Sequence, residues 1–140
     1  MTESPNRRVA ILMGSPNDAD KMAPAAATLE RYGIEADVRV MSAHRSPAEV
    51  AEFTRSARDN GYTAIICGAG MAAHLAGVVA AHTHRPVIGV PLASGALQGV
   101  DALLATVQMP GGIPVATFGI GKAGANHPLI TTDDFFWSAT

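Results

Sequence analysis

The segment Met41-Ser42-Ala43-His44-Arg45-Ser46-Pro47 places an imidazole beside a guanidinium in a short polar turn. An unperturbed imidazole, with a pKa of roughly 6.5, exchanges protons near neutral pH. A guanidinium holds an anion with a rigid fork of donors. Ser42, His44 and Arg45 thus offer a hydroxyl donor, an acid/base and an anion clamp in close succession. The competing explanation is an incidental histidine in a solvent-facing turn. Position at the carboxyl end of a strand favours function over it.

A second polar turn, Gly14-Ser15-Pro16-Asn17-Asp18, joins an apolar run to the start of a helical pattern. Free backbone N–H groups at a helix amino terminus suit a phosphate. Ser15 adds a donor, and Asp18 can accept from ribose hydroxyls. Helix capping by Asn17 or Asp18 accounts for the same residues, so both readings stand. The spacing lacks GxGxxG and the Lys-Ser/Thr of a P-loop, which argues against dinucleotide or ATP binding. Gly68-Ala69-Gly70 lets a backbone come close to a ligand; tight strand–helix packing explains these glycines almost as well.

Other reactive residue types carry less. His74 lies within an apolar helical stretch and reads as a satisfied core or interface histidine. His82 and His84 lack a third ligand, which makes a poor metal site. Cys67 ends a buried run without a local activator and reads as an inert core thiol. No GxSxG elbow is present. Gln108-Met109-Pro110-Gly111-Gly112 is apolar and flexible, either a lid over a site or a plain helix-to-strand turn.

Positioning these turns requires a regular alternation of elements. Val9–Met13, Glu35–Val40, Thr63–Cys67, Pro86–Val90 and Pro114–Phe118 read as strands. Ala19–Tyr32 (stopped by Gly33), Pro47–Asn60, Met71–His82 and Val100–Val107 read as helices between them. Continuous apolar strands separated by helices imply a parallel sheet covered on both faces, a three-layer doubly wound α/β domain of flavodoxin-like type. Ligands bind such sheets beyond the carboxyl ends of the strands. The turns at 14–18, 42–47, 68–70 and 91–95 all follow strands and are expected to share one edge.

Composition sets the frame. The 140 residues suffice for one domain, with 48% apolar and 16% charged residues, 14 Gly and 9 Pro. A net charge of −2 supplies no basic field for nucleic acid or an anionic membrane surface. Low charge with positive mean hydropathy fits a subunit that buries surface against copies of itself. The single cysteine fits a reducing compartment. Met1–Arg8 lacks the apolar stretch of a signal peptide, and no run approaches the roughly 20 apolar residues of a membrane span. A cytoplasmic protein is expected.

Five segments together closely resemble the PurE family of purine biosynthesis, its class I branch in particular. They are Met13-Gly14-Ser15 with Asp18, Ser42 through Pro47, Gly68-Ala69-Gly70 with Ala72-Ala73-His74-Leu75, Pro86 through Pro91, and Gln108 through Thr117. They run in family order from about residue 9 to 125. The resemblance implies N5-carboxyaminoimidazole ribonucleotide mutase, moving a carboxylate from the exocyclic nitrogen to ring carbon 4. It implies no metal, no organic cofactor and a homo-octamer. By motif match, Ser15, Ser42 and Arg45 would hold the 5′-phosphate and Asp18 the ribose hydroxyls. His44 would shuttle the proton and Gly70 would contact the migrating carboxylate. Direct carboxylation of aminoimidazole ribonucleotide by CO2 is the runner-up, followed by a catalytically weak nucleotide-binding paralogue.

The chain departs from the family at Asn17, where Ser is common, at Met71, where Gly is common, and at Ala76, where Pro is common. Residues 1–8 read as a disordered or extended terminus, 9–125 as the catalytic domain and 126–140 as a divergent short tail. The family continues past Gly121–Ala125 into a long helix, which Pro128 opposes here. Thr131-Thr132-Asp133-Asp134 is expected to cap a short turn, with Phe135, Phe136 and Trp137 docking on a neighbour.

Overall fold

The computed structural model describes residues 7–127. Its strands are β1 (Arg8–Met13), β2 (Glu35–Val40), β3 (Tyr62–Gly70), β4 (Val87–Leu92) and β5 (Ala116–Thr117). Its helices are α1 (Ala19–Arg31), α2 (Pro47–Ser56), α3 (Leu75–His82), α4 (Val100–Val107) and α5 (Lys122–Ala125), with a 3-10 turn at Pro16–Asp18. Among the described residues the strands form one parallel sheet in the order β2-β1-β3-β4-β5. This is the doubly wound, flavodoxin-like arrangement.

The central strands are apolar at almost every position because both of their faces are covered. Val9, Ile11 and Met13 pack with Met22, Ala25 and Leu29 of α1 on one side. Ala10 and Leu12 pack with Val50 of α2 and Leu75 and Val79 of α3 on the other. Each fully buried aliphatic side chain contributes about 1.5–3 kcal/mol, so a polar residue at either parity would be costly. Edge strand β2 is largely exposed, with Val38 and Val40 about half accessible.

From β1 the chain winds outward to β2, then crosses back to β3 on the other side of β1. That reversal opens a crevice beyond the carboxyl ends of β1 and β3, the place where such sheets bind ligands. The fold thereby decides which turns meet.

Several boundaries differ from the expectations. β1 begins at Arg8, inside the segment read as terminus. α2 ends at Ser56 and hands over to tight turns as far as Gly61, which has φ +83°. β3 runs on through Gly70, because Ala69 and Gly70 stay in register with Pro91 and Leu92 of β4. Gly68 is therefore a strand residue. A Cβ there would run into the Met22 side chain, so close packing of α1 on the sheet favours glycine. α3 starts at Leu75 rather than Met71, because Met71 adopts φ +50° and turns the chain out of helical geometry. β5 is shortened to Ala116–Thr117.

The Gln108–Gly112 segment does not lie over the crevice of its own chain. Met109 packs at Gly77 of α3, and Gly112 lines a groove of about 670 Å³ at the opposite, amino-terminal edge of the sheet. Within one subunit it is a helix-to-strand connection. The Ile113 and Pro114 side of that groove faces Arg55, His82 and His84, far from the convergent strand ends. α5 closes the described chain, and the His127 ring lies 6.3 Å from that of Phe118. The expectations for Pro128, Thr131–Asp134 and Phe135–Trp137 lie outside the described residues.

Candidate active site

The crevice is a cleft of about 290 Å³ beyond β1, β2 and β3. Gly14, Ser15 and Asp18 enter it from the turn after β1, and Ser42, His44 and Arg45 from the turn after β2. Gly70, Met71 and His74 enter from the end of β3, and Ser94 from the loop after β4. The six residues singled out from sequence, Ser15, Asp18, Ser42, His44, Arg45 and Gly70, therefore face one space although 55 sequence positions separate the first from the last.

Each turn is built locally. Ser15 has extended backbone, and its Oγ accepts the Asn17 N–H at 3.2 Å. Ser15 rather than Asn17 or Asp18 is thus the cap, while Asp18 makes no capping bond. The Ser15 hydroxyl hydrogen remains available to a ligand. In the second turn Ser42 Oγ accepts the N–H groups of His44 (3.3 Å) and Arg45 (3.1 Å). Ser46 closes the turn from the other side: its N–H and hydroxyl both donate to the Ser42 carbonyl, at 2.9 and 3.1 Å. Ser42 and Ser46 fix the direction in which His44 and Arg45 leave the backbone. Ser46 stood in the quoted turn and was given no role from sequence.

His74 was missed for a stronger reason. It is not a core histidine: it precedes the first turn of α3 and is exposed to the cleft. His74 Nδ1 lies 2.6 Å from His44 Nε2, with the rings 4.7 Å apart and nearly perpendicular. One ring nitrogen donates to the other, the direction depending on the tautomers. The apolar neighbours of His74 in sequence belong to the strand end and to the buried side of α3.

Asp18 is half-buried, and burial pushes its carboxyl above the ordinary range, with Lys21 and the Ser15 backbone pulling the other way. Lys21 also donates to the Ala93 carbonyl at 2.6 Å, tying α1 to the loop after β4. Arg45 is exposed and pairs with no carboxylate among the described residues, leaving its guanidinium open to an anion. Gly70 lines the cleft; a Cβ there would stand 3.1 Å from Ser94 Cβ and 3.3 Å from the Leu92 carbonyl oxygen. Cys67 lies in the core, where burial pushes its thiol far up. No grouping of three or more His, Cys, Asp or Glu is placed to hold a metal among the described residues.

Around one cleft the arrangement offers an exposed guanidinium, helix-start N–H groups, a carboxylate, a hydrogen-bonded imidazole pair and a glycine without a side chain. Comparison with known proteins gives a consistent picture. The profile of the AIR carboxylase family matches residues 8–132. An N5-carboxyaminoimidazole ribonucleotide mutase of Brucella melitensis is 55% identical over 117 residues, 84% of this chain and 72% of that protein. The mutase of the same name from Escherichia coli K12 is 55% identical over 123 residues, 88% of this chain and 73% of its own. Among solved structures, Treponema denticola PurE aligns with a TM-score of 0.78 at 27% identity, covering 92% of this chain and 83% of that one.

Proposed function

The chain belongs to the AIR carboxylase family, and from that premise we propose that it is an N5-carboxyaminoimidazole ribonucleotide mutase acting in purine (IMP) biosynthesis. The observation that carries the reading is convergence. Three separate strand ends bring Ser15, Asp18, Ser42, Arg45 and the His44–His74 pair to one cleft.

Ser15, Ser42 and Arg45 hold the 5′-phosphate, and Asp18 accepts from the ribose hydroxyls. This anchoring leaves the aminoimidazole beside His44 and Gly70. The N–C bond of the carbamate breaks with its electron pair going to nitrogen, which takes a proton from the His44 imidazolium. The products at that instant are aminoimidazole ribonucleotide and CO2. Ring carbon 4 then attacks the CO2, and neutral His44 removes the proton that carbon 4 carried. Atoms and charge balance with no outside reagent. One imidazole serves both proton transfers. His74 orients it and shares its proton through the Nε2–Nδ1 contact. Holding CO2 against carbon 4 replaces a bimolecular recapture by a local one.

Direct carboxylation of aminoimidazole ribonucleotide is the second reading, favoured by the description of the matching family. One assay separates the readings. N5-carboxyaminoimidazole ribonucleotide is supplied to the protein, then aminoimidazole ribonucleotide with bicarbonate, and the 4-carboxylated product is followed. Rapid conversion of the first alone supports the mutase, and preferential conversion of the second supports the carboxylase. Binding without either conversion identifies a weak paralogue.

His44→Asn is expected to lower turnover at least about a hundredfold while ribonucleotide affinity changes by less than about threefold. His74→Asn should fall between His44→Asn and the parent. Near-normal turnover in His44→Asn overturns the proton role. A cytoplasmic location and a homo-octamer complete the proposal. Self-association is supported by exposed apolar surface: Val100, Leu104 and Val107 share one exposed face of α4, and Val38 and Val40 lie on the β2 edge.

A further inference from the structure

Three serines line the cleft from different strand ends: Ser15 after β1, Ser42 after β2 and Ser94 after β4. The first two are committed locally. Ser15 Oγ accepts the Asn17 N–H, and Ser42 Oγ accepts two N–H groups of its own turn. The half-buried Ser94 side chain makes no hydrogen bond among the described residues. Its loop is held without it. The Pro91 carbonyl accepts the Gly121 N–H at 2.8 Å, the Gly95 carbonyl accepts the Gln98 N–H at 3.4 Å, and the Ala93 carbonyl accepts from the Lys21 ammonium at 2.6 Å. Gly99, with φ +91°, packs on the same segment, where a Cβ would stand 3.1 Å from Ala93 Cα. Other groups thus fix the chain on both sides of Ser94, and its hydroxyl has no structural task there.

Ser94 stands beside Gly70, since a Cβ on Gly70 would lie 3.1 Å from Ser94 Cβ. In the strand order β2-β1-β3-β4 its loop is on the opposite side of the cleft from the turn that carries Arg45. We propose that Ser94 is a substrate-binding residue that reads the transferred carboxylate: its hydroxyl donates to a carboxylate oxygen of the ribonucleotide at the Gly70 end of the cleft. The inference rests on the mutase reading, in which Ser15, Ser42 and Arg45 hold the phosphate at the other end. A hydroxyl bound to a carboxylate forms a charge-assisted bond. A neutral donor suits this group better than a cation. A guanidinium would stabilise the charged carboxylate of substrate and product alike and so oppose formation of the uncharged CO2 between them. A hydroxyl orients the carboxylate at a smaller cost to its release.

Calorimetric titration of the full chain with the 4-carboxylated ribonucleotide, and with aminoimidazole ribonucleotide, which lacks the carboxylate, tests the assignment. Ser94→Ala should weaken binding of the first about tenfold or more and change binding of the second by less than about twofold. The second titration also shows that the variant keeps an intact cleft. Equal affinities of parent and Ser94→Ala for the carboxylated nucleotide overturn the inference. So does a parallel loss for both nucleotides, which would make Ser94 a support of the cleft. The mutase reading falls separately. A parent that converts no N5-carboxyaminoimidazole ribonucleotide, while Ser94→Ala is weakened for the carboxylated nucleotide alone, overturns that reading and keeps the carboxylate contact.

Discussion

His44 and Asp18 face the same cleft but stand in different accounts with the fold. His44 is held by its own N–H, which donates to Ser42 Oγ, and by the ring contact with His74. Asp18 is held against its preference, since burial first of all raises its carboxyl pKa, only partly offset by Lys21 and the Ser15 backbone. A folded-state value above the unfolded one means that stability from this group is fully present below the ordinary 3.8 and is lost as pH rises through the shifted value. Above that value the ionised carboxylate is a cost to the fold, and the proposed role as an acceptor of ribose hydroxyls gives that cost a use. Asp18→Asn should leave the thermal midpoint at pH 7 unchanged or raised, while KM for the ribonucleotide rises at least about tenfold. A lowered midpoint with unchanged KM would make Asp18 a structural residue.

At the scale of elements, the sheet edge carries a polar cluster with the opposite sign of pH dependence. The Tyr62 hydroxyl at the start of β3 donates to Asp37 of β2. Arg39 Nε donates to the same carboxylate at 3.1 Å, Arg8 of β1 approaches it at 3.4 Å, and the Arg8 guanidinium lies 4.3 Å over the Tyr62 ring. Burial would push the Asp37 carboxyl up, but Tyr62, Arg39 and Arg8 together outweigh it and hold it below 3.8. A depressed value gives stability that is present above 3.8 and lost as pH falls through the folded value. Unfolding followed by denaturant between about pH 6 and pH 3 should show Asp37→Asn losing less stability on acidification than the parent. Parallel curves would remove the cluster from the account of acid stability. The elements themselves were legible from apolar runs and from Gly and Pro punctuation. Their ends were not, because tertiary partners set them: β3 continues to Gly70 only because β4 lies alongside, and α3 starts late only because Met71 turns out of the helix.

For the whole molecule, the exposed faces matter as much as the core. Val100, Leu104 and Val107 repeat at helical spacing on the outer side of α4, and Leu97 just before it is 63% exposed. A contiguous apolar stripe of this kind marks an interaction surface. Multi-angle light scattering of the purified chain should report an assembly larger than a monomer, and Leu104→Glu should shift it toward smaller species. A stable monomer at micromolar concentration would refute the oligomeric proposal.

The amino-acid sequence alone determined the alternation of elements, the parallel doubly wound sheet and the set of turns that would meet, because hydrophobic period and turn chemistry are local properties of a chain. It also carried His44, Arg45, Ser15 and Asp18, since each sits in a turn whose residue types are informative without neighbours. Only the tertiary structure decided that Ser15 rather than Asp18 is the cap, that Gly68 serves packing while Gly70 faces the cleft, and that His74 is the partner of His44. Those assignments depend on distances between segments that are remote in sequence, which pattern and propensity do not encode. The left-handed turn at Met71 belongs with them. It follows the last residue of β3 and lies four residues before α3, a local conformation that residue types alone do not encode.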